Sequence, residues 1–225
     1  MPQKPGDGCR SAKAFALHRW SFAIYGLLSA TLAVSAGASG QSPRADGGMM
    51  VLLDNARVRV FKTTAASLGA VPHRPGVAVP LADGPTRKKG DASWVADNAS
   101  SGTDPGPLIF VEPKPSTTGA PPPPTGSKPG DAPFVGMSFK TLFENEIVTA
   151  LRARMEVGAR EGFHTHASDT IVVHLSGGAI EDTADGSTKV NRWKPGDAEF
   201  ESRGSSHSAR NVGKAIDVVL VALKK

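Results

Sequence analysis

The 225-residue chain contains one cysteine, Cys9, one tyrosine, Tyr25, three tryptophans and nine phenylalanines. A lone cysteine excludes a fold stapled by internal disulfides. Basic runs are also scarce. The pI is near 9.5, yet after the first forty residues the only basic cluster is Arg87-Lys88-Lys89. That is too short for a phosphate-tracking stripe, so nucleic acid is not an expected partner. No long amphipathic helical pattern follows residue 38, which argues against a helix bundle. What is abundant is Gly and Pro, 25 and 18 residues, beside an apolar content of 39%. Many turns and a sufficient core point to an all-β chain.

The N-terminus has the organisation of an export signal. Lys4, Arg10, Lys13 and Arg19 precede the uncharged stretch Trp20–Ala36, and Ala36-Gly37-Ala38 supplies an A-x-A cleavage site. The competing reading is an uncleaved anchor, because the stretch approaches a minimal membrane span. Its Ser and Thr content and the placement of the A-x-A favour cleavage, which predicts a secreted or periplasmic protein with no stable membrane insertion. Removal of residues 1–38 takes away a net +3 (four cations against Asp7), leaving +2 of the formal +5. Cys9 and Tyr25 leave with it.

A second composition change falls at 113–133, "PKPSTTGAPPPPTGSKPGDAP", which holds eight of the eighteen prolines. The segment has no apolar set to bury and reads as a linker. On either side the chain repeats itself. "NARVRVFKTTAASLGA" (55–70) is similar to "NEIVTALRARMEVGA" (145–159), and "VAVPLADG" (77–84) to "IVVHLSGG" (171–178). "KKGDASW" (88–94) matches "KPGDAEF" (194–200), and "PLIFVE" (107–112) matches "IDVVLVAL" (216–223). Four matches in one order imply a duplicated unit, 39–112 and 134–225.

Short runs rich in Val, Ile, Leu and Thr, broken by Gly, Asp and Asn, read as successive strands in both units. "AIEDTADGSTKVNRW" reads as a hairpin turning at Asp185-Gly186. Strands this short and numerous predict a sandwich or barrel.

Histidines carry the chemistry. His164 and His166, two apart in a strand, face the same side. His207 lies on a later strand that a barrel can bring beside them. Three neutral imidazoles suit a divalent first-row metal and leave positions open for water or substrate. The spacing resembles the cupin family, whose motifs are G-x5-H-x-H-x3-E-x6-G and G-x5-P-x-G-x2-H-x3-N. Gly158, His164, His166 and Gly177 fit the first in register, and Gly196, Gly204, His207 and Asn211 the second. Thr170 stands where the family has a ligand Glu, and Ser202 where it has Pro.

The resemblance implies a cupin-type jelly-roll barrel over about 143–225 and covers 50–112 poorly. It further implies metal ligation by His164, His166 and His207, a structural Asn211, and a homodimer as the plausible assembly. The ion would be Fe, Mn, Ni, Cu or Zn. Without the Glu, a divalent ion on three imidazoles keeps its full charge and favours anionic or bidentate oxygen substrates. Some cupin dioxygenases resemble this three-histidine pattern, so the expected activity is a dioxygenase-like oxidation of a small molecule. Zinc-supported hydrolase or lyase chemistry and a non-catalytic binding module are the alternatives.

Thr170 and His174 share strand parity and are expected at the substrate; hydrogen bonding within the wall is the other reading of His174. His73 is read as structural or exposed. Glu161, Asp169, Glu199 and Glu201 lie nearby in sequence, and spacing assigns none of them to the metal. An inward Glu199 or Glu201 would favour catalysis. The first unit lacks five residues where the second has His164–Thr170, lacks the hairpin, and has Ser101 in place of His207. It is expected to be an incomplete barrel that covers strand edges of its partner.

Overall fold

The computed structural model describes residues 45–46, 48–115 and 133–224. The expected signal, 1–38, and most of the Pro-rich linker lie outside these. No helix among the described residues is long and apolar enough to cross a membrane. Among the described residues, fourteen strands and one short helix fall in a single compact unit.

The first half supplies β1 (Ala45–Asp46), β2 (Met49–Asp54), β3 (Val58–Thr64), α1 (Ala65–Gly69), β4 (Gly76–Pro80), β5 (Ser93–Val95) and β6 (Pro107–Pro113). These strands form one sheet in the order β1-β2-β3-β6-β4-β5. The second half supplies β7 (Val135–Glu144), β8 (Val148–Thr165), β9 (Thr170–His174), β10 (Gly178–Ala184), β11 (Ser187–Trp193), β12 (Ala198–Glu201), β13 (Ser206–Asn211) and β14 (Ile216–Leu223). Its sheet runs β11-β10-β13-β8-β14-β9-β12, with β7 also paired to β8.

Strand β8 is what curls this second sheet. Its 18 residues pair with β14 over Val148–Met155 and with β13 over Arg160–Thr165, so one strand serves two walls. The hairpin β10–β11 continues the second wall. Its turn is the expected one: Asp185 and Gly186 both have positive φ, 50° and 73°, as a two-residue hairpin turn requires.

Alternation decides which faces are buried. On β14, Val219, Val221 and Leu223 pack with Val148, Ile171 and Val173 against Val58, Val60, Val77, Val79, Ile109 and Val111 of the first sheet. The intervening Ile216 and Val218 turn the other way, with Ala153, Met155 and Val172, into the curl of the second sheet. Both faces of β14 are covered, which is why its sequence is nearly all apolar. The two sheets thus meet face to face, a difference from the expected covering of edges. The valines and isoleucines of the first sheet form an apolar face that only another sheet face can bury.

The order β2-β3-β6-β4-β5 corresponds strand for strand to β7-β8-β14-β9-β12, and local turns repeat with it. Asn55 Oδ1 accepts from the amides of Arg57 and Val58, as Asn145 Oδ1 does from Ile147 and Val148. The Lys88 amide donates to Asp91 as the Lys194 amide does to Asp197, around glycines with φ of 80° (Gly90) and 87° (Gly196). Among the described residues, the first sheet has no counterpart of β10, β11 and β13. Its outer face is covered instead by α1, where Ala65 and Leu68 pack on Phe61 and Phe110.

Candidate metal centre

His207 on β13 lies directly opposite His164 on β8, and His166 follows just beyond the end of β8. The three rings converge with centroids 4.8 to 5.0 Å apart, and one nitrogen of each lies within 4.8 Å of the others. Backbone bonds fix His166: its amide donates to the Ser205 carbonyl (2.9 Å), and its carbonyl accepts from Gly204 (2.9 Å).

The outer nitrogens set the tautomers. His164 Nδ1–H donates to the Gly162 carbonyl (2.9 Å), and His207 Nδ1–H donates to Asp182 Oδ1 (2.8 Å). Both leave an Nε2 lone pair facing inward, the arrangement by which outer partners orient metal-binding imidazoles. The Nε2 atoms of His166 and His207 are 3.2 Å apart. Nitrogens bound to one ion at about 2.1 Å stand roughly 3.0 to 3.4 Å apart for right-angled to tetrahedral geometry. The donor set therefore fits a divalent first-row ion.

Thr170 does not join this cluster; its Oγ1 donates to the Ser168 carbonyl (3.3 Å) and it lines the cavity beside it. The missing carboxylate arrives from elsewhere. Glu161 lies with Oε1 3.7 Å from His164 Nε2 and Oε2 4.0 Å from His207 Nε2. Glu161 and His164 are three positions apart, a spacing that in a regular strand would place them on opposite faces. Between the pairs His207↔His164 and Ala209↔Glu161, however, β8 advances three residues and β13 two. This bulge, at Gly162-Phe163, turns Glu161 to the histidine face. A glycine inside a strand pattern was the available signal. A carboxyl group therefore stands beside the histidines although position 170 is Thr.

Glu199 and Glu201 also face inward. On β12 they pair with Val172 and Thr170 of β9, while Ala198 and Phe200 pack toward the intersheet core. Glu201 Oε2 lies 3.6 Å from His166 Nδ1. Burial, then the charges of Glu199, Glu161 and Asp182, push the Glu201 carboxyl well above the usual carboxylate range. Glu161 is raised too, chiefly by burial, against the opposing pull of His207 and His164. Burial, reinforced by His207 and His164, lowers the His166 imidazole to about 4, which keeps it neutral and available as a ligand.

His174, 1% exposed, is hydrogen-bonded within the wall. Its Nε2–H donates to Glu199 Oε1 (3.2 Å), its ring stacks on Trp193 with centroids 4.6 Å apart, and it lines the cavity. His73 is buried and structural, with ring nitrogens 2.8 and 2.9 Å from the carbonyls of Arg74 and Ala99. Asn211 is structural as well: its Nδ2 lies 2.9 to 3.1 Å from the carbonyls of Met155, Glu156 and Lys214. Asp169 is not part of the histidine cluster; its Oδ2 accepts from Arg57 Nε (2.7 Å), in the turn between β2 and β3, and its Oδ1 from the Arg203 amide (2.8 Å).

The cavity beside the histidines is about 210 Å³. Met137, Met155, Val172, Ile216, Val218 and Leu220 form much of its wall, with Phe134 and Phe139 at one side. A polar recess of about 260 Å³, containing Lys189, Asn191 and Ser205, shares His166, Glu161, Glu199 and Glu201 with it. The candidate metal centre stands where the two meet.

Strand order, the curled sheet and the converging imidazoles define the fold as a cupin-type β-barrel. Among solved structures, the chain is similar to a cupin domain from Bordetella pertussis Tohama I, with 20% identity over 42% of this chain and 99% of that one (TM-score 0.39). It is also similar to KdgF from Halomonas sp., with 23% identity over 40% and 81% of the two chains (TM-score 0.33). A third is the DMSP lyase DddQ from Ruegeria pomeroyi DSS-3, with 22% identity over 40% and 47% (TM-score 0.35). No family model and no curated protein matches the chain.

Proposed function

We propose that the chain is an exported, metal-dependent enzyme that acts on a small substrate in the barrel cavity by a dioxygenase-like oxidation. The observation that carries this reading is three converging imidazoles at the edge of a cavity lined by His164, His166 and three carboxyl groups, Glu161, Glu199 and Glu201. Burying carboxyl groups is costly, and a module that only binds would not need several of them beside its ligand. His164, His166 and His207 would hold the ion, and Glu161 would add a fourth donor. A bound first-row ion supplies Lewis acidity and, if redox-active, electrons. Asp182 orients His207, the apolar wall excludes water, and Glu201, its proton affinity raised by burial, stands beside His166.

Glu201 favours a second reading, a zinc-supported lyase or hydrolase, because a carboxyl group whose burial raises its proton affinity suits proton delivery to a leaving group. The repeated asparagine and Lys-x-Gly-Asp turns support the further reading that 39–112 and 134–225 arose by duplication. The test is to load the chain lacking residues 1–38 with iron, manganese, nickel, copper or zinc. Oxygen uptake and products are then followed over a small-molecule panel. Oxygen-coupled turnover that Glu201→Gln slows supports oxidation, and oxygen-independent turnover with zinc supports the second reading. No turnover with any ion would remove the enzymatic reading.

A further inference from the structure

The polar recess beside the histidines is lined by 16 residues, and all but Ile180, Ala184, Phe200 and Ala209 carry a hydrogen-bonding side chain. Such a lining is matched by a ligand rich in hydrogen-bonding groups. One wall is β11, where Lys189, Asn191 and Trp193 alternate and so share a face. Lys189 lies directly opposite Asp182 across the hairpin, but Asp182 is turned to His207 Nδ1 (2.8 Å). The Lys189 ammonium has no ion-pair partner among the described residues, and the half-buried Asn191 amide has no hydrogen-bond partner among them. These free groups face the carboxyls of Glu161, Glu199 and Glu201 across a space of about 260 Å³.

We infer that the recess holds a compact molecule bearing several hydroxyl groups, a polyol of the size of one pyranose or cyclitol ring. This rests on the metal-dependent reading above and deepens it by naming the substrate class. A hydroxyl is donor and acceptor at once. It can accept from Lys189, take either role with the Asn191 amide, and meet a carboxyl group in either protonation state. An anion would need those carboxyls protonated and a cation would need them ionised; a polyol needs neither. Ile180 and Trp193 offer apolar contact to its C–H groups. The volume lies below the roughly 300 to 1,000 Å³ of pockets for drug-sized ligands, which suits one ring and not an oligomer.

Probes built on a six-membered ring test this. The hydroxyl-rich ones are myo-inositol and D-glucose; the others are cyclohexanol, cyclohexanecarboxylate and cyclohexylammonium. Binding of each to the chain lacking residues 1–38, loaded with zinc and metal-free, is measured by calorimetry at pH 7. At least one hydroxyl-rich probe is expected to bind about tenfold or more tightly than each of the other three, as one or two further net hydrogen bonds would give. Asn191→Leu removes the amide at similar size and should weaken that binding about fivefold. Lys189→Met, at an exposed position where folding is not at stake, should weaken it about threefold. Neither variant should change the metal content or the affinity for cyclohexanol.

Equal or tighter binding of cyclohexanol, the carboxylate or the ammonium would overturn the inference, as would failure of both hydroxyl-rich probes to bind. Binding unchanged in both variants would place the polyol elsewhere and overturn it too. Metal uptake without polyol binding would overturn this inference and leave the metal-dependent reading standing. Polyol binding that both variants weaken, in a chain that takes up no metal, would refute the metal-dependent reading alone.

Discussion

Asp182 is the residue whose removal should separate a tuned metal centre from an accidental cluster of histidines. It sits on β10 with its carboxylate 2.8 Å from His207 Nδ1, and both side chains are mostly buried, at 15% and 16% exposure. Asp182→Ala removes the acceptor found for that N–H among the described residues, freeing the ring to turn and to exchange tautomers. Loss of such an outer partner lowers metal affinity by roughly 10- to 100-fold, or about 1.4 to 2.8 kcal/mol. An opposing effect exists. Asp182 also raises the proton affinity of Glu161 and Glu201, so its loss relieves some repulsion there. That effect acts through space, and the direct charge-assisted bond is the stronger of the two.

Asp182→Asn keeps an oxygen acceptor without the charge and should fall between wild type and Asp182→Ala. The assay is competition for zinc or iron against a chelator of known affinity, with melting of the metal-free proteins as a check on folding. Affinity within about twofold of wild type in both variants, with folding intact, would refute the reasoning.

Protonation gives a prediction with a defined sign. In the metal-free chain His166 titrates near 4, whereas an unfolded histidine titrates near 6.5, so between those pH values the unfolded state binds more protons. Its contribution to stability is fully present above about 6.5 and falls by about 3 kcal/mol as pH drops to 4. Glu161 and Glu201, with raised folded values, act oppositely and lose stability as pH rises. The difference between wild type and His166→Gln in urea unfolding across that range isolates the histidine; a difference independent of pH would contradict the assignment. Arg57→Ala breaks the bond to Asp169 that joins the two sheets and should cost about 2 kcal/mol in chemical unfolding, with Arg57→Lys recovering part. Gly177→Ala should be more damaging. A Cβ there would lie 2.5 Å from the Trp193 carbonyl at a φ of 64°, and only backbone movement relieves both, so a melting temperature equal to wild type would be unexpected.

What the sequence disclosed followed from local rules. Asp185-Gly186 announced its hairpin because few residues adopt two successive positive φ values, and His164-x-His166 announced a shared face because strand parity is short-ranged. The repeated Lys-x-Gly-Asp turns were legible for the same reason. The carboxylates were not. Glu161 reaches the histidines only through a bulge, and a bulge depends on how β8 pairs with β13 some forty residues later. Glu199 and Glu201 alternate with Ala198 and Phe200, a pattern that ordinarily sends the charged residues to water. Here the apolar side of β12 faces a second sheet and the charged side faces the barrel interior. Only knowledge of which face the first sheet covers reverses that assignment. The same missing information hid the face-to-face packing of the two halves.

The most direct test is the metal content of the purified chain lacking residues 1–38, measured by elemental analysis beside a His164→Ala/His166→Ala double variant. The account predicts close to one divalent first-row ion per chain in the parent and almost none in the variant, with the variant still folded. No ion in the parent, even after reconstitution, would contradict it, as would an ion retained equally by both.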